Sequence, residues 1–193
     1  MRVLLWVLVA LALVGAGLLL LRQRQAGTTP AATATTKVDF GGPFTLTAAD
    51  GQPFPSSRLA GKPHAIFFGF THCPDVCPTT LARMVRLRQQ LGRDFEIVFV
   101  TVDPERDGPA EVGKYAELFN APVTGLTGSP AQIDQVKKQY GIFSQKVPDE
   151  SGGYTVDHTS TVLLFDGGGE FVSTISPEEA DTVALDKLKR ITA

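Results

Sequence analysis

Residues 62–92 read KPHAIFFGFTHCPDVCPTTLARMVRLRQQLG, and they predict a strand that leads into a helix through a short loop with two cysteines. The first part, 62–70, is a run of aromatic and aliphatic residues that is typical of a buried strand. Pro78 suits the first turn of a helix. Apolar residues then recur at helical spacing as far as Gly92, namely Leu81, Met84, Val85, Leu87 and Leu91. A buried strand that feeds directly into a helix is a building unit of α/β folds.

The rest of the body continues this alternation of strands and helices. Residues 95–102 (FEIVFVTV) are almost continuously apolar, as expected of a strand buried on both faces of a parallel sheet. The other predicted elements are hairpins over 43–54 and 160–175, a short strand over 123–126, and helices over 109–119, from Ser129-Pro130 to Gly141, and from Ser176-Pro177 onward with Val183, Leu185, Leu188 and Ile191. This order predicts an α/β, thioredoxin-like fold with a central mixed sheet flanked by helices and an extra N-terminal β-hairpin.

The N-terminal residues 1–24 predict a transmembrane anchor or a signal. Residues 3–21 contain no charged or strongly polar side chain, and as a helix they would span about 28 Å, close to the hydrocarbon thickness of a bilayer. The run leads straight into Arg22-Gln23-Arg24, which favours an uncleaved single-pass anchor over a long signal peptide cut in the following segment. Residues 25–37 are rich in Ala and Thr and predict a flexible linker, so a folded domain is expected over 38–193.

The charge of the chain argues against one large class of partner. The net charge is -2, but Arg2, Arg22 and Arg24 belong to the N-terminal segment, so 15 basic side chains face 20 acidic ones in the rest. The sequence of the folded domain therefore contains no basic patch, and nucleic acid is not expected as a partner. An acidic domain suits a cation or a basic protein.

Cys73 and Cys77 are the two cysteines of the chain, and they permit three interpretations. They fall between a buried strand and a helix, where the helix N-terminus lowers a thiol pKa and favours the thiolate. A structural disulfide would close so short a loop that it would add little stability. A redox dithiol of the thioredoxin kind usually has two residues between its cysteines rather than three. The third interpretation is a site for a soft metal ion, which needs a further ligand.

The three histidines are the candidates for that ligand. His64 starts an apolar strand and is most simply structural, and His72 adjoins the first cysteine at a strand end, where neighbouring side chains point apart. His158 precedes a strand that is expected to lie near the cysteine loop. Thioredoxin-like enzymes place a cis-proline at about this point, and this chain has no proline between Pro148 and Pro177. We therefore expect His158 to face the two cysteines.

The combination of ligands favours copper. Two thiolates and one imidazole form a soft, three-coordinate donor set that suits Cu(I), and with an added oxygen ligand Cu(II). A structural zinc site would want a fourth protein ligand, and the sequence offers no evident one. Copper is therefore the predicted metal, held by Cys73, Cys77 and His158.

Three motifs, GFTHCPDVCPTTL, TVDPERD and DHTSTVLLFD, resemble those of the Sco/SenC family of copper proteins, and the resemblance covers about residues 40–192. It implies a thioredoxin-like domain anchored in the bacterial inner membrane, on the periplasmic side, or in the mitochondrial inner membrane. It implies that Cys73, Cys77 and His158 bind copper and that the protein serves assembly of the dinuclear copper centre of cytochrome c oxidase. The implied partners are the copper-bearing subunit of the oxidase and an upstream copper donor.

Two functions remain open on this pattern. A metallochaperone would hold copper and exchange ligands with a partner, so it would not be an enzyme. A membrane-tethered thiol–disulfide reductase would use Cys73 and Cys77 as a dithiol and keep the copper-ligand cysteines of the oxidase reduced. A peroxidase is disfavoured because Phe70 stands where such enzymes keep a threonine.

Two further expectations concern the surroundings of the site. Asp103 follows the strand over 95–102 and should lie beside the cysteines. There it either tunes a cysteine and supports copper exchange or caps the proline-containing turn that comes after it. Residues 143–156 look irregular, and they are expected to form either a loop that moves to admit a partner, with Gly152-Gly153 as a hinge or turn, or an ordinary surface loop.

Overall fold

The computed structural model describes residues 40–149 and 152–193. The predicted anchor over 1–24, the predicted linker over 25–37 and residues 38–39 lie outside the described residues. In the part of the chain that is described, none of the helices is both long enough and apolar enough to cross a membrane.

Nine strands are present in the described ranges, and seven of them form one mixed sheet. The strands are β1 (Thr45–Ala48), β2 (Pro53–Pro55), β3 (His64–Gly69), β4 (Glu96–Thr101), β5 (Thr124–Thr127), β6 (Ser144–Pro148), β7 (Tyr154–His158), β8 (Val162–Phe165) and β9 (Phe171–Ile175). The order across the main sheet is β2-β1-β5-β4-β3-β8-β9, and β6 and β7 form a separate two-stranded sheet. The helices are α1 (Val76–Leu91), α2 (Pro109–Glu117), α3 (Pro130–Gln139) and α4 (Asp181–Ile191), with a short 3-10 helix at Ser56–Leu59.

The strand directions confirm the predicted mixed sheet. β3, β4 and β5 run parallel to one another, with α1 connecting the first pair and α2 the second. β8 pairs antiparallel with β3, and β1 pairs antiparallel with β5. The predicted N-terminal hairpin is formed by β1 and β2, in which Leu46 pairs with Phe54.

β3 and β4 lie at the centre of the sheet and pair in parallel along their whole length. Phe67, Phe68 and Phe99 are at most 1% exposed. Helices or loops cover both faces of these strands. Their side chains are therefore apolar on both faces, and they do not alternate between apolar and polar residues as in a half-exposed strand. Their carboxyl ends, at Gly69 and Thr101, meet at the same edge of the sheet, which is where open α/β sheets place their functional loops.

Helix boundaries follow local signals where these are strong. The Ser129 side chain accepts a hydrogen bond from the backbone N–H of Gln132, and the Gln132 side chain accepts one in return from the backbone N–H of Ser129. This capping box fixes the start of α3. Gly92 ends α1 with a φ of +64°, a left-handed conformation that glycine adopts without steric cost.

The prediction that residues 143–156 are irregular was wrong, because they contain β6 and the first part of β7. The two strands pair antiparallel, from Ser144 with His158 to Pro148 with Tyr154. Gly152 in the connecting turn has a φ of +85° and donates its N–H to the carbonyl of Asp149. The segment is therefore a hairpin with a glycine turn. Its strands escaped detection because polar residues are frequent in both and half of the ten strand residues are exposed, which leaves only a short apolar pattern.

The last helix begins at Asp181, later than Ser176-Pro177 predicts. Arg83 on α1 reaches this segment and donates to the carbonyls of Ser176 and Glu179 and to the Asp181 carboxylate. Carbonyls held by a guanidinium do not enter a helical ladder, so the chain forms a turn before α4. As a result Val183 is 47% exposed, and the buried residues of this helix are Ala184, Leu188 and Ile191.

Candidate metal centre

The junction between β3 and α1 places both cysteines. Cys73 lies in the loop after β3, and its N–H donates to the carbonyl of Phe70 at 3.2 Å. Cys77 is the second residue of α1, and its N–H points at the Cys73 sulfur at 3.4 Å. Cys73 is 8% exposed and Cys77 is fully buried. The Cys73 sulfur therefore accepts a hydrogen bond from one of the backbone N–H groups that have no partner within the first turn of the helix.

Gly69, the last residue of β3, makes room for the second sulfur. A Cβ atom at this position would lie 2.8 Å from Sγ of Cys77 and 3.0 Å from the rings of Phe67 and Phe99. Neither ring can move far in a close-packed core. Glycine at position 69 therefore allows the Cys77 side chain to lie directly against the strand.

His158, the last residue of β7, brings an imidazole to the same place. Its Nε2 lies 3.4 Å from the Cys77 sulfur, although 81 positions separate the two residues in the chain. Its Nδ1 lies 2.9 Å from the carbonyl of Thr159, so we assign the imidazole proton to Nδ1. Nε2 then has a lone pair directed at the sulfurs. Metal-binding histidines are commonly held in this way by a second hydrogen bond to a carbonyl.

Aromatic rings fix the orientation of the imidazole. The rings of Phe67 and Phe70 meet it edge to face, with centroids 6.0 Å and 5.7 Å from its own. Edge-to-face contacts at this range are favourable. The imidazole is thus held by the rings of Phe67, which lies on β3, and of Phe70, which follows β3 directly.

Cys73, Cys77 and His158 form a cluster whose potential ligand atoms all lie within 4.8 Å of one another. In the ranges that the structure describes, no other group of three or more His, Cys, Asp or Glu side chains is arranged in this way. The three residues predicted as ligands are thus brought together in space.

The two thiols share hydrogen bonds that separate their pKa values. The Cys77 thiol donates to the Cys73 sulfur, and this bond is the largest cause that lowers the pKa of Cys73 to about 4. Hydrogen bonds from the backbone N–H groups of Cys77 and Asp75 act in the same direction, and burial opposes them. The same bond to Cys73, together with burial, raises the pKa of Cys77. The pair therefore holds one negative charge, which is centred on the more exposed sulfur.

Asp103 lies just beyond the end of β4, where it is fully buried. Its carboxylate accepts hydrogen bonds from Arg106 Nε and, at 3.0 Å, from the hydroxyl of Tyr154. Its backbone carbonyl accepts the N–H groups of Arg106 and Asp107 in the following turn. The contacts of its side chain are therefore with the turn and with β7, and they lead to the histidine rather than directly to the cysteines. Whether Asp103 influences copper exchange stays a prediction.

Arg106 and Tyr154 complete this attachment of the hairpin. Nη1 of Arg106 donates to the Tyr154 carbonyl at 2.9 Å, and its guanidinium lies 3.8 Å from the centre of the Tyr154 ring. Tyr154 and His158 lie on the same face of β7, since side chains alternate along a strand. The Asp103–Arg106–Tyr154 contacts, called the latch below, thus hold the strand that carries the histidine.

Asp107 is a residue of the site region that the sequence reasoning did not single out. Its buried carboxylate accepts hydrogen bonds from the backbone N–H and the hydroxyl of Thr71, at 2.9 and 2.6 Å, and from the hydroxyl of Thr101 at 2.6 Å. It thereby fixes the loop that leads to Cys73. Its presence in the TVDPERD motif is the only sequence signal that pointed to it.

The other two histidines lie outside the cluster. His64 is 6% exposed, contacts the carbonyl of Lys62 through Nδ1 at 2.8 Å and stacks on the ring of Phe165. His72 is exposed and turns toward Thr71 and Asp107. Both positions agree with the expectation that neither histidine joins the cysteines.

Comparison with protein families identifies the family of the chain. A family model described as SCO1/SenC matches residues 32–193, which includes both cysteines and the histidine. The chain belongs to the SCO1/SenC family. This confirms the resemblance that the three sequence motifs indicated, and with it the thioredoxin-like fold.

Two curated relatives illustrate the range of the SCO1/SenC family. The mitochondrial SCO1 homolog 1 of Arabidopsis thaliana is 38% identical over 140 residues, which are 70% of this chain and 42% of the relative. A SCO2-like protein of Rickettsia conorii is 37% identical over 140 residues, which are 70% of this chain and 68% of the relative. The matched region thus spans less than half of the length of the plant protein.

Two solved SCO1/SenC structures resemble the domain closely. The structure of Bradyrhizobium japonicum ScoI with copper bound is 42% identical, has a TM-score of 0.71, and covers 79% of this chain and 99% of its own. BsSco, described as a member of the Sco family of cytochrome c oxidase assembly proteins with a disulfide switch, is 26% identical with a TM-score of 0.62. That match covers 80% of this chain and 95% of BsSco.

Proposed function

We propose that this chain binds one copper ion through Cys73, Cys77 and His158 and passes it to the copper-bearing subunit of cytochrome c oxidase. The observation that carries the proposal is the convergence of two sulfurs and one imidazole nitrogen within 4.8 Å. Soft thiolates with imidazole suit Cu(I), and one added oxygen ligand would suit Cu(II). Among the described residues no fourth His, Cys, Asp or Glu joins the cluster, as a structural zinc site would require.

The family adds independent support for copper and for the oxidase. ScoI of B. japonicum is solved with copper bound, and BsSco is described as a cytochrome c oxidase assembly protein. Copper is the cargo in this account, so the chain acts as a chaperone and not as an enzyme. An upstream donor supplies the ion, and the oxidase subunit receives it.

The geometry supports transfer by ligand exchange. A pocket of about 350 Å³ opens beside the site, and Cys73 and His158 lie in its wall. Cys77 lies deeper and is fully buried. A sulfur of the partner can therefore replace Cys73 first, and the ion leaves the buried sulfur last. Each new bond to the ion replaces an old one, so no bare copper ion is released.

X-ray absorption spectroscopy of the copper-loaded, reduced full chain tests the ligand set. We expect two sulfur neighbours and one nitrogen neighbour, and the loss of the nitrogen in His158→Asn. Transfer is tested by mixing the loaded chain with the metal-free copper domain of the oxidase subunit and following copper by mass spectrometry. A spectrum without sulfur neighbours would reject the site, and copper that stays on the loaded chain would reject the delivery role.

A thiol–disulfide reductase is the second candidate, and the arrangement of the two thiols favours it. Cys73 is the more exposed thiol, and the Cys77 sulfur lies close enough to resolve a mixed disulfide. In such a reaction the Cys73 thiolate attacks a partner disulfide, and Cys77 then attacks Cys73. The chain becomes oxidised to a disulfide while the partner gains two thiols. His158→Asn separates the two functions, because it should remove copper binding and leave dithiol exchange largely intact.

The N-terminal segment is proposed to tether the domain on the periplasmic side of the bacterial inner membrane. The support is the uncharged run over 3–21 and the flanking Arg22-Gln23-Arg24. A tether raises the concentration of the domain near a membrane-bound oxidase. Extraction of membranes with alkaline carbonate tests it, since an anchored chain stays with the lipid and a cleaved chain is released.

A further inference from the structure

The outer edge of β7, called the open edge below, is defined by the hydrogen-bonding register of the hairpin. Thr159 N–H donates to the carbonyl of Phe143, and Asp149 N–H donates to the carbonyl of Gly153. In an antiparallel pair, bonded and non-bonded residue pairs alternate. By this alternation Thr155 and Asp157 point their backbone groups at β6, and Tyr154, Val156 and His158 point theirs away from it.

Val156 is the centre of the open edge. In the described ranges β7 pairs with β6 and with no other strand, so the N–H and carbonyl of Val156 have no ladder partner. One end of the edge is closed, because the carbonyl of Tyr154 accepts Nη1 of Arg106. The other end leads to His158. Val156 as a residue is only 6% exposed, because it packs into the core, and it lines the pocket beside the site. A strand edge without a ladder partner can pair with an additional strand.

This edge and the cysteine loop both line the pocket beside the site. The pocket is lined by β7 from Thr155 to His158 and by the segment from Cys73 to Val76, together with Phe70. A chain segment lying along β7 in this pocket would therefore pass directly over the Cys73 sulfur.

The charge of the pocket indicates what kind of segment it accepts. Asp75 and Asp157 are both exposed, and no Lys or Arg lines the pocket. Among the residues that line the pocket, Asp75 and Asp157 carry negative charge, and this charge favours a segment with cationic side chains.

We propose that the open edge binds an extended, basic, thiol-bearing segment of the partner protein as an additional strand paired with Val156. Backbone hydrogen bonds to Val156 hold the segment, and the alternation of its side chains turns one toward the pocket floor. A cysteine at that position lies over Cys73, and Lys or Arg side chains elsewhere in the segment offset the negative charges of Asp75 and Asp157. The proposal deepens the copper exchange proposed above, on which it rests, by stating how the partner presents its thiol.

The test traps such a segment on the full chain in detergent, with Cys77→Ser to prevent resolution. The probe is the peptide Ac-Lys-Val-Cys-Val-Lys-amide, with its cysteine in a disulfide with thionitrobenzoate. The Cys73 thiolate attacks the peptide sulfur, a new disulfide forms between protein and peptide, and thionitrobenzoate leaves as a coloured thiolate. Amide hydrogen exchange of the trapped complex is then measured by NMR. No copper is present, so the result is independent of copper binding.

We expect the Val156 amide to exchange about two- to tenfold more slowly in the trapped complex, as a new hydrogen bond requires. The amides of Thr155 and Asp157 already bond to β6 and serve as controls within the same strand. A copy of the peptide with methylated backbone nitrogens should react without protecting Val156. A Val156 amide that exchanges equally fast in the free chain and the complex, or no mixed disulfide at all, would overturn the proposal.

A second peptide tests whether the bound segment must be basic. A peptide with Glu in place of both Lys residues should release thionitrobenzoate more slowly, by about two- to fivefold for each carboxylate involved. Asp75→Asn and Asp157→Asn should each reduce this difference, and Asp186→Asn on α4, outside the pocket, should not. Equal rates for the two peptides would overturn the basic character of the segment. If the Val156 amide of the free chain becomes more protected as the protein concentration rises, then the edge pairs with a second copy of this chain. That result would overturn the proposal of a partner segment.

Discussion

The hydroxyl of Tyr154 donates a hydrogen bond of 3.0 Å to the carboxylate of Asp103, and it thereby joins the strand of the histidine to the end of the strand beside the cysteines. Tyr154 lies four positions before His158 on the same face of β7. Asp103 follows β4, which pairs with β3, and β3 leads into the cysteine loop. The two halves of the candidate copper site are thus connected by the latch as well as by direct contact.

Tyr154→Phe removes the hydroxyl and keeps the ring that packs on Arg106. The buried Asp103 carboxylate loses one donor, so we expect the free energy of unfolding to fall by about 1–2 kcal/mol. We also expect Cu(I) affinity to fall by roughly 10-fold, since partners that orient a ligand typically contribute 10- to 100-fold. Urea denaturation and Cu(I) competition with a chelator measure the two effects.

Tyr115→Phe is the matched control for this substitution. The Tyr115 hydroxyl is buried and has no hydrogen-bond partner among the described residues. Its removal should leave copper affinity unchanged and stability unchanged or slightly higher. Equal loss of copper affinity in both variants would mean that the latch does not position His158.

Gly69→Ala tests the packing of the second cysteine. The added methyl group would lie 2.8 Å from the Cys77 sulfur and 3.0 Å from two buried rings. Overpacking of this kind costs about 1–3 kcal/mol of stability, and the displaced sulfur should weaken Cu(I) binding. Thermal unfolding and the Cu(I) titration report both.

Gly167→Ala provides the comparison for Gly69, because the nearest atom to an added Cβ there is the carbonyl oxygen of Gly61 at 3.5 Å. This is an ordinary contact distance, so neither stability nor copper binding should change appreciably. If Gly69→Ala behaves like Gly167→Ala, then the Cys77 sulfur does not need the close approach to β3.

His64 should make the stability of the domain depend on pH. Burial is the largest influence on its pKa and lowers it from 6.5, although the Lys62 carbonyl and the carboxylates of Asp166 and Glu96 act in the opposite direction. The unfolded chain therefore binds a proton at this position before the folded chain does. Stability from the neutral imidazole is present above pH 6.5 and is lost as the pH falls below it.

His64→Phe keeps an aromatic ring against Phe165 and removes the titrating group. We expect the wild-type chain to lose stability between pH 7 and pH 5 more steeply than this variant, as measured by urea denaturation across that range. Parallel curves for the two proteins would show that His64 is not the group responsible.

The sequence predicts the central elements well because their signals are local. β3 and β4 are buried on both faces, so each reads as an apolar run. α1 is buried on one face, so its apolar residues recur at helical spacing. The β6–β7 hairpin was missed because its inward face is short. Tyr154, Val156 and His158 do alternate with exposed residues, and this period of two is a signal that could have been used.

Contacts between distant parts of the chain account for the other differences. Ser176-Pro177-Glu178-Glu179 has a good helix-start pattern, but Arg83 from α1 binds its carbonyls and delays the helix. Asp107 acts through Thr71 and Thr101, and no spacing rule predicts that contact. The position of His158 beside the cysteines could be expected from the order of the strands, but its distance to each sulfur needs the folded chain.

The most direct test of the central claim is a Cu(I) titration of the reduced full chain against a competing chelator, compared with His158→Ala. The convergence of Cys73, Cys77 and His158 predicts one tightly bound Cu(I) per chain, with affinity reduced by more than about 100-fold in the variant, because a direct ligand contributes more than a residue that only orients one. Equal affinity in the two proteins, or no stoichiometric copper in the wild-type chain, would contradict the proposed site.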